Sequence, residues 1–306
     1  FYKLLVLHGA DGADLVRAAR YLTLRSAELS GRRQPVEDVA SPPRAANDSP
    51  RWVSTDMPVE LGSLVPGDQL RTRGLYPGVI DVGFRASPDL FLWPGETVPL
   101  RVRYQFAEGP WLDNERSRLD VALNGQFLKS LPPPRRDWWG TIKRELGAAD
   151  SRQQEAVIPV PPGLIHGENR LTFYFNMRYT LEDECDPVLP NDVVNQVFPG
   201  STLDLTQTRH LAVMPSLSAF VAAGYPFSAR ADLGHTGLVL PASPDMATLA
   251  TALALMARIG AASGYPALGV EVALGVGGLH RLQNRDLLAV LPLDDPALPR
   301  LLRGSA

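Results

Sequence analysis

The chain has 306 residues, 45% of them hydrophobic and 21% charged, which fits about two packed globular domains and excludes a disordered chain. A formal net charge of -3 leaves no basic footprint for nucleic acid. The single cysteine, Cys185, excludes an intramolecular disulfide and a cysteine zinc cage without fixing the redox compartment.

The chain opens at Phe1 on an apolar run rather than on a signal-peptide pattern. Tyr2–Leu7 (YKLLVL) reads as a short strand buried on both faces. After the turn HGADGAD, residues Leu15, Val16, Ala19 and Leu22 recur at helical spacing, with Asp11 as the N-cap. One strand–turn–helix unit cannot bury its own faces, so the expectation is that the rest of an α/β domain lies upstream and that this chain is a fragment. Residues 31–51, proline-rich and without period, read as a linker.

From Trp52 the period changes to two. Ile80, Val82 and Phe84 alternate with Asp81, Gly83 and Arg85, and Val98, Leu100, Val102, Tyr104 and Phe106 alternate with Arg101, Arg103 and Gln105. Asn124-Gly125, set between two β runs in Leu119–Leu131, predicts a hairpin, and Leu171, Phe173, Phe175 and Met177 predict a further strand. The 28 prolines belong to edges and turns of such strands. The whole stretch predicts an antiparallel, jelly-roll-like β-sandwich, with Val98, Leu100, Val102 and Tyr104 on one buried face.

Beyond Pro226 the pattern is α/β. Leu238–Leu240 reads as a strand, Asp245 as an N-cap, and Met246–Ile259 as a buried helix short of the ~20 residues a membrane span needs. Gly269–Leu274 and Asp286–Leu291 read as two more strands. The first two strands and the helix form a parallel βαβ unit. The eleven residues Gly275–Arg285 are tight for another parallel crossover, which leaves an antiparallel pairing or a slipped strand.

Four segments resemble, in order and spacing, the periplasmic regulatory subunit of bacterial cellulose synthase. They are LDVALNGQFLKSLP at Leu119–Pro132, GENRLTFYF at Gly167–Phe175, STLDL at Ser201–Leu205 and GYPFSARADLGHTGLVLP at Gly224–Pro241. The resemblance implies carbohydrate-binding-like jelly rolls alternating with flavodoxin-like domains. The chain would then hold the end of the first flavodoxin-like domain (1–30), a linker (31–51), the jelly roll (52–222) and the start of the second flavodoxin-like domain (223–306). It also implies a periplasmic protein tied to the inner membrane by a C-terminal anchor outside this chain, beside the catalytic, membrane-embedded synthase subunit and the emerging β-glucan. The family is often called cyclic di-GMP-binding. A secreted carbohydrate-active enzyme and a stand-alone sugar-binding module are the alternatives.

For a glucan surface the candidates are Trp138 and Trp139, because axial C–H groups give sugar rings an apolar face that matches a π surface. Adjacent tryptophans in an extended loop cannot both point inward. The opposing expectation is that one caps the core and the other packs on Arg135 or Arg136. Trp93 and Trp111, next to Pro94 and Pro110, read as core lids.

No catalytic or metal residues and no cofactor are expected. HGADGAD (His8–Asp14) lacks the spacing of a dinucleotide loop or a phosphate-binding lysine. Arg281 and Arg285 have an R-x-x-x-R spacing that any solvated helix face shows. Glu182, Asp183, Glu184 and Asp186 around Cys185 read as a solvated loop rather than a calcium site, and the thiol has no neighbour to activate it. His8, His166, His210, His235 and His280 are scattered and read as structural. The chain is therefore expected to turn over neither β-glucan nor a flavin.

Overall fold

The computed structural model describes residues 4–25, 29, 31–109, 111–134, 153–180 and 193–304. The chain divides into two compact units: Trp52–Pro215, and Phe1–Arg51 together with Ser216–Ala306. Trp138, Trp139 and the acidic run around Cys185 lie outside the described residues.

The first unit is antiparallel. Its strands are β1 (Val59–Glu60), β2 (Arg71–Arg73), β3 (Ile80–Arg85), β4 (Leu90–Phe91), β5 (Val98–Gln105), β6 (Arg118–Leu123), β7 (Gln126–Leu131), β8 (Gln154–Val160), β9 (Glu168–Asn176), β10 (Val194–Val197), β11 (Thr202–Leu203) and β12 (Arg209–His210). One sheet runs β1-β11-β5-β10-β2, with β8 on the other edge of β5; the second runs β3-β9-β6-β7; β4 and β12 form a separate ribbon.

Period-two patterning explains the core. Val98, Leu100, Val102 and Tyr104 are all 3% exposed or less, as their alternation with Arg101 and Arg103 predicts. They meet Leu119, Val121, Leu171, Phe173 and Phe175 of the opposite sheet in one continuous cluster, where Phe106 and Phe175 touch edge to face at 5.0 Å. Burial pushes the Tyr104 hydroxyl up to about 12, so it stays neutral and donates to the Pro132 carbonyl at 2.8 Å. Where β10 gives way to β11 on the edge of β5, the buried Ser201 hydroxyl bridges both backbone groups of Arg103, at 3.0 and 3.2 Å.

The Asn124-Gly125 hairpin is present. Both residues take positive φ, 52° and 79°, as a mirror-image two-residue turn requires. The Asn124 carboxamide also accepts from the Arg170 amide at 2.8 Å, tying the turn to β9. A Cβ at Gly125 would meet nothing within 4 Å, so Gly125→Ala isolates the backbone cost. Urea unfolding of that variant is expected to show a loss of about 1–2 kcal/mol.

The second unit contains α1 (Gly12–Leu24), α3 (Leu217–Ala223), α4 (Met246–Ser263) and α5 (Leu298–Gly304); the short helix α2 (Leu61–Leu64) belongs to the sandwich unit. Asp11 caps α1, accepting from the Asp14 amide at 2.9 Å. The strand expected at Tyr2–Leu7 is not formed over the described residues 4–7. Leu4, Leu5, Val6 and Leu7 are 44–76% exposed and line an open groove with Ala18, Tyr21 and Leu22. A lone extended segment forms no ladder, so composition alone does not make a strand of it. Segment 41–51 has no regular element; Arg44 donates its amide to Asp232 at 3.0 Å and Asn47 to the Ala229 carbonyl at 2.6 Å.

The α/β part is a parallel sheet of β13 (Thr236–Leu240), β14 (Glu271–Leu274) and β15 (Asp286–Ala289), in the order β14-β13-β15. The doubt over Gly275–Arg285 is resolved. The last two strands are not neighbours but flank β13, and a 3-10 helix at Val276–Leu282, rising ~2 Å per residue, carries the chain across. Leu238 and Leu240 pack with Ala252 of α4 on one face, Val239 with Ala273 and Leu282 on the other.

Helix α4 corrects the expected buried helix. It continues through Arg258 and Gly260 to a Gly264 cap, and only 22% of it is buried, with Met246 and Leu253 largely exposed. By length and composition its 18 residues would cross a membrane, but a helix laid on one face of a three-stranded sheet buries a single stripe.

Candidate functional site

Trp93 is not the expected core lid. It is 62% exposed, and its ring meets Phe91 edge to face at 5.3 Å. The turn Trp93–Glu96 closes on its own backbone hydrogen bond of 3.1 Å and projects the indole outward instead of folding it over the sheets. Trp111 is half-buried against the sandwich core, as a lid would be, but it also joins an aromatic group that period and spacing did not single out.

That group is Tyr76, Tyr179, Trp111 and Tyr174. The Tyr76 and Tyr179 rings lie 6.5 Å apart and nearly perpendicular, and Tyr179 and Trp111 lie 5.8 Å apart with a 36° tilt. Tyr76 is 91% exposed and Tyr174 41%. Their positions follow from the sequence around them. The loop Gly74–Gly78 is anchored by Leu75, packed on the core, and by buried Pro77, so the residue between them must point out. The Tyr179 hydroxyl donates to the Leu75 carbonyl. Segment 111–113 pairs with 178–180 through Asp113 N to Arg178 O at 2.8 Å and Thr180 N to Trp111 O at 2.9 Å. Gly109 is needed beneath the indole, because a Cβ there would stand 1.8 Å from Trp111 Nε1. Tyr174 falls on the outward phase of β9 between Phe173 and Phe175, a position the alternation does give. Burial, then the nearby Tyr76 and Tyr174, raises the Tyr179 hydroxyl pKa, so this oxygen is a neutral donor at physiological pH.

His210 is the other cluster. Its Nδ1 lies 3.1 Å from Asp89 Oδ1 and its Nε2 3.1 Å from Thr55 Oγ1, while the Ser87 hydroxyl donates to Asp89. Hydroxyl, imidazole and buried carboxylate in series is the order of an acyl-transfer triad. Here the amide beside the hydroxyl, Asp56 N, is already bonded to Ser54 Oγ at 3.1 Å rather than aimed at a developing oxyanion. The network instead pins the β4–β12 ribbon to loop 54–57, a structural role like the one the sequence suggests for its histidines.

Arg281 and Arg285 do not share a helix face. The 3-10 helix ends at Leu282, and Arg285 binds Glu271 at 3.1 Å and the Gly234 carbonyl. Among the described residues no group of three or more His, Cys, Asp or Glu side chains is placed to hold a metal ion.

Residues 58–202 match the family model described as cellulose synthase BcsB, second CBM domain, and residues 210–305 match cellulose synthase BcsB, second FD domain. A cyclic di-GMP-binding protein of Xanthomonas axonopodis pv. citri (strain 306) is 36% identical over 296 residues, 94% of this chain and 36% of that protein. A protein of the same name from Komagataeibacter xylinus is 33% identical over 309 residues, covering 99% of this chain and 38% of its own length. Cellulose synthase 1 of Komagataeibacter xylinus is 33% identical over 309 residues, 99% of this chain and 20% of that protein. The chain thus spans little more than a third of the cyclic di-GMP-binding relatives. The resemblance carried by the four sequence segments holds along nearly the whole chain, which belongs to the cellulose synthase BcsB family.

Proposed function

We propose that this chain is part of a non-catalytic, periplasmic accessory subunit of a membrane cellulose synthase, which supports the catalytic subunit and guides the emerging β-1,4-glucan. The observation that carries this is the pair of consecutive family matches, CBM then FD, along residues 58–305. The same stretch aligns within a longer chain named cellulose synthase 1, which favours a place beside the synthase itself. In this reading the sandwich is a jelly roll within 52–222, and 223–306 opens a flavodoxin-like domain whose parallel β13–β15 sheet is its start. Residues 1–30 end a preceding domain of the same kind, 31–51 link the two, and a C-terminal anchor outside this chain holds the protein to the inner membrane. Trp138 and Trp139 remain proposed glucan contacts. The bonded, structural setting of His210 supports an accessory rather than an enzymatic role.

The test uses the full-length protein in its own cells. Deleting its gene is expected to abolish cellulose output while the catalytic subunit stays in the membrane, and a tagged full-length copy is expected to restore output and co-purify with that subunit. Unchanged cellulose in the deletion strain, or no co-purification, overturns the assignment.

A further inference from the structure

The geometry points to Tyr76, Tyr179 and Trp111, with Tyr174 beside them, as a stacking site for a neutral β-linked hexose chain. This rests on the glucan-guiding role proposed above and adds a place for the contact, on residues apart from Trp138 and Trp139.

Three observations carry it. The first is exposure with a fixed backbone. Tyr76 is 91% exposed, yet its neighbours Leu75 and Pro77 are held against the sandwich. An exposed aromatic ring on an anchored loop keeps a large apolar face in water at a standing cost, and loses little freedom when something covers it. The second is shape. Rings meeting at 79° form the two walls of a notch, and the 36° tilt from Tyr179 to Trp111 continues one wall into a longer strip. A β-linked hexose has equatorial hydroxyls and axial C–H groups, so each ring offers a flat apolar face to such a wall and a polar rim to its edge. The third is chemistry. All four side chains are aromatic with a polar tip, three phenols and an indole, suited to ligands apolar on one side and hydrogen-bonding on the other. None of the four side chains carries an ionic group, which suits a neutral sugar over an anion.

Few rings make a weak site, and weakness suits a polymer that must keep moving. The full 306-residue chain would be run by affinity electrophoresis through gels containing hydroxyethylcellulose, with cellohexaose titrated in parallel and tryptophan fluorescence followed. Retardation of the wild-type chain is expected, with apparent Kd in the millimolar range. Tyr76→Ala is expected to weaken it about fivefold with an unchanged Tm, since the ring is not core, and Tyr76→Ala/Tyr174→Ala to lose it. Tyr76→Phe keeps the stacking face and is expected to keep most of the retardation. Phe127→Ala, an exposed ring on β7, is expected to leave it unchanged. A wild-type chain that migrates as in a glucan-free gel overturns the inference and points to a protein partner for these rings. Equal retardation of Tyr76→Ala and wild type overturns it as well. Neither failure bears on the synthase assignment, which the deletion strain decides separately.

Discussion

Phe173→Ala is expected to lower the stability of the sandwich unit by about 3–5 kcal/mol, the usual cost of emptying a buried aromatic site. Phe173 is fully buried in β9, the strand that pairs with β3 on one side and β6 on the other. Its register partners there, Ile80 and Val121, are themselves buried, so the sheet cannot collapse into the hole without breaking two ladders. A loss this size approaches the whole stability of an ordinary domain. Urea unfolding followed by far-ultraviolet circular dichroism would read it. A shift below about 1 kcal/mol would mean that Phe173 does not sit at the centre of the packing described. The adjacent Tyr174→Ala is the internal contrast: an outward ring one position along the same strand, expected to change stability by less than about 0.5 kcal/mol.

That contrast shows what was legible in the sequence. Alternation with period two is a local property of the chain, so the inward set Leu171, Phe173, Phe175 and the turn at Asn124-Gly125 could be read directly, and both are where the pattern put them. The cap at Asp245 was legible for the same reason, because it bonds the Thr248 amide three residues on, at 2.8 Å. What failed depended on distant partners. Leu4–Leu7 has the composition of a buried strand, but composition does not supply a neighbouring ladder. Met246–Ser263 is apolar almost all round, yet only Ala252, Ile259, Ala262 and Ser263 are buried, Ala252 against Leu238 and Leu240 of the sheet and Ile259 beside Gly224. The crossing from β14 to β15 looked too short because the strand order, with β13 between them, cannot be read from a loop length.

The aromatic notch was missed for a related reason. Tyr76, Trp111, Tyr174 and Tyr179 come from separate places in the chain, and only the pairing of 111–113 with 178–180 and the Tyr179–Leu75 hydrogen bond bring them together. Tryptophan pairs draw the eye in a sequence; scattered tyrosines do not. One part was recoverable: the outward phase of β9 places Tyr174 in solvent, and a solvent-facing tyrosine between two core phenylalanines is a signal in itself.

Asp89→Ala is expected to destabilise the sandwich unit by about 2–3 kcal/mol and to remove part of its acid sensitivity. Asp89 is 3% exposed and accepts from the Ser87 hydroxyl while lying 3.1 Å from His210. Hydrogen bonds to a buried charged group are each worth more than neutral ones, and removing the carboxylate leaves the Ser87 hydroxyl without its partner. Burial by itself pushes the Asp89 carboxyl up. The hydrogen bonds from His210 and Ser87, with the His210 charge, outweigh that and hold it below its ordinary value of 3.8. Because the folded-state pKa is the lower one, this carboxylate's contribution is fully present above about pH 4. It is lost as the pH falls through the depressed folded value, where the unfolded chain has already taken up its proton. Wild type should therefore show an acid limb in stability below about pH 4 that is shallower in Asp89→Asn. In His210→Ala only the Ser87 hydroxyl and the backbone are left to offset the burial of Asp89, so its folded pKa rises toward the unfolded value and its share of the acid limb should shrink, at a lower stability near pH 7. Urea midpoints measured between about pH 3 and pH 7 separate these outcomes. Identical acid limbs for wild type and Asp89→Asn would show that the ribbon is held by backbone bonds such as Leu211 N to Asp89 O, at 2.7 Å, and not by the ionised network.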